Sequence, residues 1–349
     1  MLAETEAPKV DLSLTGGGKL AAQTSGALGV LAEHLEFGDI IATSGGALIG
    51  LCLVDAQHKA IQDTGRQSGI TYRQSVQHHF KDNAFRIWHL ACSSAEFAGS
   101  LNGYANVFPL LSHWVGFTTW EAGTKLAFMF GNSLNMFPAY VRAALPTIDE
   151  SLADPRVSRF VSNATHLFTG QQSVTESRTV DGEISRNALE TYVRTCILPP
   201  YFPAMDGVWI DGVFSGNADM YDALPSGENA RPLLRIDLGA PKFEAYREAY
   251  DYNPHLRARA AEAFAAIGKP LPSDRKVIEL DYSDDNLNRS CADLPCRDSI
   301  KALEDRGAWR AKKIWRERLC TELSDSVPVA VPERSAAARI KSEPALVAA

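Results

Sequence analysis

The sequence predicts an α/β fold of three layers, with a mainly parallel central sheet between helices. Two observations carry this prediction: a strand-like run at 9–15 precedes a helix-like run at 21–37, and a strand-like run at 38–42 precedes a helix-like run at 45–63. Consecutive strand–helix units favour parallel strands, because right-handed crossovers place each new strand beside the last. Hydrophobic residues make up 45% of the chain and charged residues 22%, which is typical of a globular protein with a sizeable core.

Each element has its own pattern. Val10, Leu12 and Leu14 alternate with polar residues, as in a strand. Leu28 and Leu31 recur at helical spacing in the first helix, and Gly65 is expected to end the second. Further strands are expected within 156–182 and at 208–210, 231–238 and 276–280.

The turn between the second strand and its helix contains a candidate nucleophile. Ser44 lies in the run Ala-Thr-Ser-Gly-Gly, with apolar residues on both sides of the turn. This pattern is typical of a nucleophile elbow, which exposes a serine hydroxyl at the start of a helix. Small neighbours are needed there because the backbone is strained and crowded.

A glycine run follows the first strand: Gly16, Gly17 and Gly18. A phosphate-binding P-loop is excluded by spacing, because Ser13 and Leu20 stand where that motif needs a glycine and a Ser or Thr. The favoured interpretation is an oxyanion hole, formed by these glycines together with Gly45, that serves the serine. A connecting turn with no chemical role is the alternative.

The candidate base comes from two Asp-Gly pairs far downstream. Asp206 and Gly207 are flanked by apolar residues and predict a two-residue hairpin turn. Asp211 follows the short strand at 208–210 and opens a loop. We therefore assign Asp206 to turn geometry and Asp211 to chemistry.

Together these motifs resemble those of the patatin-like phospholipases, bacterial members in particular. That family combines a triple-glycine oxyanion loop, a G-x-S-x-G serine and an Asp-Gly pair. The Pro-rich run at 198–203, Asn217 and the Leu-Asp-Tyr-Ser run at 280–283 also match the family, and the resemblance extends roughly over 9–315.

The resemblance implies a three-layer α/β/α patatin-like fold with a helical insertion after the nucleophile helix. It implies a serine lipid acyl hydrolase of the phospholipase A or carboxylesterase type, in which Ser44 and Asp211 form a dyad without histidine. No cofactor or metal is needed for this chemistry. The implied partner is a lipid or another acyl ester.

The chain departs from the family pattern at several positions. Ala42 replaces the first glycine of the elbow, Val213 the second glycine after the aspartate, and Asp219 a common proline. Leu20 stands where the family usually has Arg or Lys, so the adjacent Lys19 is the candidate contact to substrate or phosphate. These departures motivate a second hypothesis, a catalytically weak or inactive module that binds lipid or protein.

A third hypothesis keeps the hydrolase but uses a Ser–His–Asp triad, with His166 or His255 as the base. The eight histidines form no metal-binding pattern, and the six cysteines include no C-x-x-C pair. We therefore expect no metal site and reduced thiols.

Two segments invite a membrane interpretation. The segment 97–141 is rich in Phe and contains Trp114 and Trp120, and is expected to form a lipid-facing cap (96–145) or buried helices over the core. The segment 302–319 is dominated by Lys and Arg and contains two tryptophans. It is expected to bind anionic headgroups, or to be a solvated face with its tryptophans in the core.

Charge and terminal composition complete the predictions. The net charge of −7 argues against nucleic-acid binding. The acidic first eight residues do not resemble a signal peptide, so a cytoplasmic protein with peripheral membrane contact is expected. One hydrolase domain is expected at 8–323, and a disordered tail at 324–349.

Overall fold

The structure is a computed structural model, and it describes residues 7–64, 70–105, 136–166, 171–178, 209–216, 218–238, 270–282 and 296–324. All structural statements below concern these residues.

Seven strands of the described chain form one sheet, with β4-β3-β2-β1-β6-β7 as the strand order. Pairing is parallel from β3 to β7 along this order, whereas β4 and β5 are antiparallel to β3. The strands are β1 (Lys9–Leu14), β2 (Glu36–Ala42), β3 (Phe160–His166), β4 (Gln172–Glu176), β5 (Trp209–Asp211), β6 (Leu233–Asp237) and β7 (Val277–Asp281).

The first two helices follow β1 and β2 as the sequence predicts, and five more α-helices follow in the described chain. They are α1 (Ala21–Leu31), α2 (Gly45–Thr64), α3 (Tyr72–Ala105), α4 (Met136–Ala144), α5 (Ile148–Ala153), α6 (Arg297–Ile314) and α7 (Cys320–Ser324), with a π-helical turn at Trp315–Leu319 between the last two. The predicted fold class, α/β with a mainly parallel sheet, is confirmed, and the arrangement is consistent with three layers.

The alternation of β2 and β6 divides the core between the two faces of the sheet. Leu12 and Leu14 belong to the larger cluster, which also contains the apolar side chains of α1 and α2. On the opposite face, Ile41 and Leu233 pack with Tyr221 in a smaller cluster. Both faces are therefore buried, as a parallel sheet requires.

The first helix is shorter than the sequence predicts. It ends at Leu31 instead of residue 37, and β2 already begins at Glu36. The apolar periodicity continues through Leu35, whose side chain is buried in the turn rather than in a helix. The N–H of Glu36 donates to the carbonyl of Pro8 (3.1 Å), so pairing with the chain before β1 takes this segment into the sheet.

Several predicted features lie outside the described residues. They are most of the aromatic segment 97–141 with Trp114 and Trp120, the Asp206 turn, Asn217, His255 and all but the first residue of the tail 324–349. Of the helices in the described chain, none combines the length and apolar character needed to cross a bilayer.

Helices α1 and α6 cross at two glycines. A Cβ on Gly26 would lie 1.9 Å from the backbone oxygen of Glu304, and a Cβ on Gly307 would lie 2.0 Å from the backbone oxygen of Gln23. Backbone atoms cannot move aside as a flexible side chain can. The glycines therefore set the distance between the two helices.

We expect Gly26→Ala to lower the free energy of unfolding by about 1–3 kcal/mol, the usual cost of overpacking a core. The matched control is Gly29→Ala in the same helix, where a Cβ would meet only the side chain of Lys81 at 3.6 Å. This control should be neutral or slightly stabilising, because Ala favours helix over Gly. Urea unfolding measures both variants, and equal effects would contradict the packing role of Gly26.

Candidate active site

Ser44 occupies a strained turn between β2 and α2. Its φ of 52° lies in the left-handed region, where non-glycine residues are uncommon. The turn also needs the two glycines that follow, because a Cβ on Gly46 would lie 2.4 Å from the carbonyl oxygen of Leu14 and one on Gly45 would lie 2.7 Å from that of Gly18. This local geometry is that of a nucleophile elbow.

Asp211 contacts the serine directly. The Ser44 hydroxyl donates to Asp211 Oδ2 at 2.6 Å, and the N–H of Val213 donates to the other oxygen, Oδ1, at 2.9 Å. The Asp211 side chain is fully buried. The described structure thus brings the two residues of the expected dyad into hydrogen-bond contact.

Strand register explains this contact. β2 pairs with the first part of β3, where Ala42 lies opposite Ser162, and β5 pairs with the last part, where Asp211 lies opposite Ala164. β4 pairs with the other edge of β3. β5 therefore pairs with the same edge of β3 as β2 does, beyond the point where β2 ends. Ser44, two residues beyond Ala42, is therefore delivered to the same place as Asp211.

Burial shifts the acid–base behaviour of Asp211. Desolvation raises the pKa of its carboxyl to about 7, against the opposing hydrogen bonds from Ser44 and Val213. A carboxylate with an ordinary pKa of about 4 is a poor proton acceptor for a serine. The buried site makes Asp211 a much stronger base.

A buried polar network holds the two segments in register. Thr43 donates to Asn163 Oδ1 at 2.5 Å, and the Asn163 amide donates to the carbonyls of Gly212 and Gly216, both at 2.9 Å. The N–H of Ala218 donates to Thr43 Oγ1 at 2.8 Å. Asn163 therefore ties the residue before the serine to the residue after the aspartate.

Sequence reasoning missed Thr43 and Asn163. The one available signal was an asparagine within a strand-like run, where such residues are depleted and a fully buried amide needs partners. Thr165 adds a further contact, donating to the backbone carbonyl of Asp211 at 2.9 Å.

The glycine run lies beside the serine turn. Gly18 has a φ of 54° and begins the short 3-10 helix Gly18–Leu20, and its backbone nitrogen lies 3.3 Å from the Cβ position of Gly45. Gly45 is the first residue of α2, at the positive end of the helix dipole. The glycine loop and the first residue of α2 thus lie next to each other beside Ser44.

The structure shows where three of the departures from the family pattern lie. Leu20 is buried in the main core cluster, so its side chain faces away from solvent, whereas its neighbour Lys19 is partly exposed. Val213 serves Asp211 through its backbone N–H, which any non-proline residue would supply. Ala42 is buried within β2 and pairs on both sides.

Among the candidate histidines, His166 ends β3 opposite Trp209, and His255 lies outside the described residues. The described residues contain no group of three side chains suited to hold a metal ion.

Comparison with known proteins gives little information beyond the geometry of the site. No family model matches the chain, and a search of curated proteins finds no similar sequence. Among solved structures, the chain is similar to VipD from Legionella pneumophila at 13% sequence identity and a TM-score of 0.33, over 92% of this chain and 67% of that one. At this TM-score the similarity supports no conclusion about fold or function.

The raised pKa of Asp211 predicts a pH-dependent effect of Asp211→Asn on stability. A carboxyl titrates near pH 4 in the unfolded chain, whereas Asp211 titrates near pH 7 in the folded protein. Between these two values the folded protein therefore binds one proton more than the unfolded chain. The stability that this proton provides is lost as pH rises through that window. We expect the Tm of Asp211→Asn, relative to that of the wild type, to rise as the pH increases over this range.

Thermal melts across the pH range measure this difference. Asp222→Asn removes an exposed carboxylate and is the control, and it should show no such growing gap. A Tm difference for Asp211→Asn that is independent of pH would contradict the buried, proton-holding carboxyl.

Proposed function

We propose that the protein is a serine acyl hydrolase of the patatin-like type, which cleaves lipid acyl esters through a dyad of Ser44 and Asp211. The observation that carries the proposal is the 2.6 Å hydrogen bond between the serine hydroxyl and a fully buried carboxylate. The left-handed backbone of Ser44 supports the same role, since such strain gathers at active sites.

In the proposed first step, Ser44 Oγ attacks the ester carbonyl while its proton moves to Asp211 Oδ2. The carbonyl oxygen takes up the electron pair and becomes an oxyanion. When the tetrahedral intermediate collapses, the bond to the alcohol breaks, and the proton on Asp211 passes to the leaving oxygen. An acyl ester of Ser44 remains.

In the second step, Asp211 accepts a proton from water, and the resulting nucleophile attacks the acyl-enzyme. Collapse releases the fatty acid and returns the proton to Ser44 Oγ. In both steps the oxyanion would be stabilised by backbone N–H groups of Gly17, Gly18 and Gly45 and by the start of α2. Loss of one such donor typically costs about 10²–10³-fold in rate.

Lipid as the substrate class rests on the motif resemblance and on the aromatic composition of 97–141. Lys19, partly exposed beside the glycine loop, is the candidate contact to a substrate phosphate. The proposed setting is cytoplasmic, with peripheral attachment to the membrane that holds the substrate.

The alternative, an inactive lipid- or protein-binding module, is motivated by Ala42, Leu20 and Val213. All three residues lie in the fold without disturbing the contact between Ser44 and Asp211. This observation favours the enzyme over the binding module.

We expect a fluorophosphonate probe to label the wild type and not Ser44→Ala, because the probe reacts with activated serine hydroxyls. Esterase activity on short acyl esters should be lost in the same variant with an unchanged thermal melt. Ser226→Ala, at an exposed serine, is the control and should be labelled like the wild type. No labelling and no turnover by the wild type would select the binding module.

We expect Asp211→Asn to reduce the rate at least ~10²-fold, the usual scale for loss of a general base. The wild-type rate should rise with pH through about 7, because the base must be deprotonated. Asp206→Asn is the control and should cost little if that residue only forms a turn. A loss for His166→Gln or His255→Gln as large as that for Asp211→Asn would select the triad instead.

A further inference from the structure

Helix α6 and the π-helical turn after it carry a charge opposite to that of the chain. Between residues 306 and 318 there are six basic residues and one acidic residue, although the whole protein has a net charge of −7. The positive charge is thus concentrated in this one segment. The rest of the protein carries a net negative charge and gives no reason for it.

Five of the six basic residues are exposed, and the sixth, Arg310, is partly buried with its guanidinium 4.8 Å from the centroid of the Tyr282 ring. The inward side buries Leu303, Gly307 and Ala311, and Gly307 packs on the backbone of α1. Seven residues of 306–318 are exposed: Glu317, Arg318 and the five that we call the basic–aromatic face, which are Arg306, Trp309, Lys312, Lys313 and Arg316.

Trp309 is the apolar centre of this face. It is 64% exposed, whereas Trp315 is partly buried and stacks on His34 with ring centroids 4.4 Å apart. The Lys313 ammonium lies 5.7 Å from the Trp309 ring. Arg306 lies three positions before the indole, and Lys312 and Lys313 lie three and four positions after it, while the position four residues before it is Asp305.

Lys312 and Lys313 form no ion pair with another residue that the structure describes. Within the described chain, Lys301 pairs with Asp305 and Arg318 pairs with Glu322, both at helical spacing. Lys312, Lys313 and Arg316 have no carboxylate partner among the described residues. Their charge is therefore available to an external anion.

We propose that the basic–aromatic face docks on a bilayer that contains anionic phospholipid. Trp309 would enter the boundary between headgroups and acyl chains, where amphipathic rings are favoured, while the flanking cations meet phosphate and carboxylate groups. A bilayer with anionic headgroups matches both the apolar part and the basic part of this surface. Duplex nucleic acid keeps its bases stacked inside and offers the indole no apolar medium, so it would match only the basic part of this surface.

This docking site is separate from the dyad. Helix α6 contacts the 3-10 helix Gly18–Leu20 beside the proposed oxyanion loop. The basic–aromatic face belongs to α6 and the π-helical turn after it, whereas Ser44 precedes α2 and Asp211 ends β5. The face would hold the protein at a membrane without forming the substrate site, so it is independent of the proposed hydrolase activity.

The test is sedimentation of the full chain with vesicles of diether phosphatidylcholine, with or without diether phosphatidylserine. These lipids contain no acyl ester, so binding is measured without hydrolysis. We expect selective binding to the phosphatidylserine vesicles that weakens with salt. Lys312→Gln with Lys313→Gln should weaken it about 25-fold, since each basic residue near such a surface contributes about 5-fold. Trp309→Ala should also weaken it.

Two controls match these variants. Arg86→Gln with Arg142→Gln removes the same charge from ion-paired exposed positions, and Phe85→Ala removes an aromatic that is 66% exposed. Both should bind like the wild type. If the wild type ignores phosphatidylserine, or if the controls lose as much binding as the face variants, the proposal is wrong.

Competition and activity separate the remaining outcomes. If Trp309→Ala binds normally and duplex DNA displaces the vesicles, the face is a general polyanion surface and the proposal is overturned. The face variants should keep wild-type activity on a soluble ester. If the wild type has no esterase activity yet binds phosphatidylserine vesicles through this face, the hydrolase proposal fails and the docking proposal stands.

Discussion

The contact between Ser44 and Asp211 constrains the rest of the structure. In a triad, an imidazole bridges the nucleophile and the carboxylate and tolerates some distance between them. In a dyad the two side chains must touch, so two loops from distant parts of the chain have to meet within one hydrogen bond. The 2.6 Å contact depends on β5 continuing the edge of β3 where β2 ends.

This arrangement is costly for stability. Burial of the Asp211 carboxyl opposes its ionisation, and the left-handed backbone of Ser44 adds strain. The surrounding network offsets part of this cost, because the hydroxyl of Thr43 and the amide of Asn163 are fully engaged with neighbouring groups. The same burial raises the pKa of Asp211, so one physical cause both destabilises the site and suits it to the proposed proton transfer.

The sequence predicted the local features well, because their causes are local. Alternation gives β1, and the strand–turn–helix pattern gives the turn at Ser44. The hydrogen bond between Thr43 and Asn163 joins residues 120 positions apart, and nothing in the sequence near either residue specifies the other. The early end of α1 has a similar cause, since Glu36 pairs with Pro8, a partner that helical periodicity does not take into account.

The two tryptophans of the basic segment show a feature that the periodicity of the sequence alone cannot predict. Trp309 and Trp315 are six residues apart, which in a regular helix is about 240° of rotation, so one neighbouring layer cannot bury both. The sequence left open which side of the helix faces the core. The packing of Gly307 on α1 decides it, because the close backbone contact fixes the rotation of α6 and leaves Trp309 outside. A glycine in the helix interior thus determines where the chain presents its exposed indole and the cations around it.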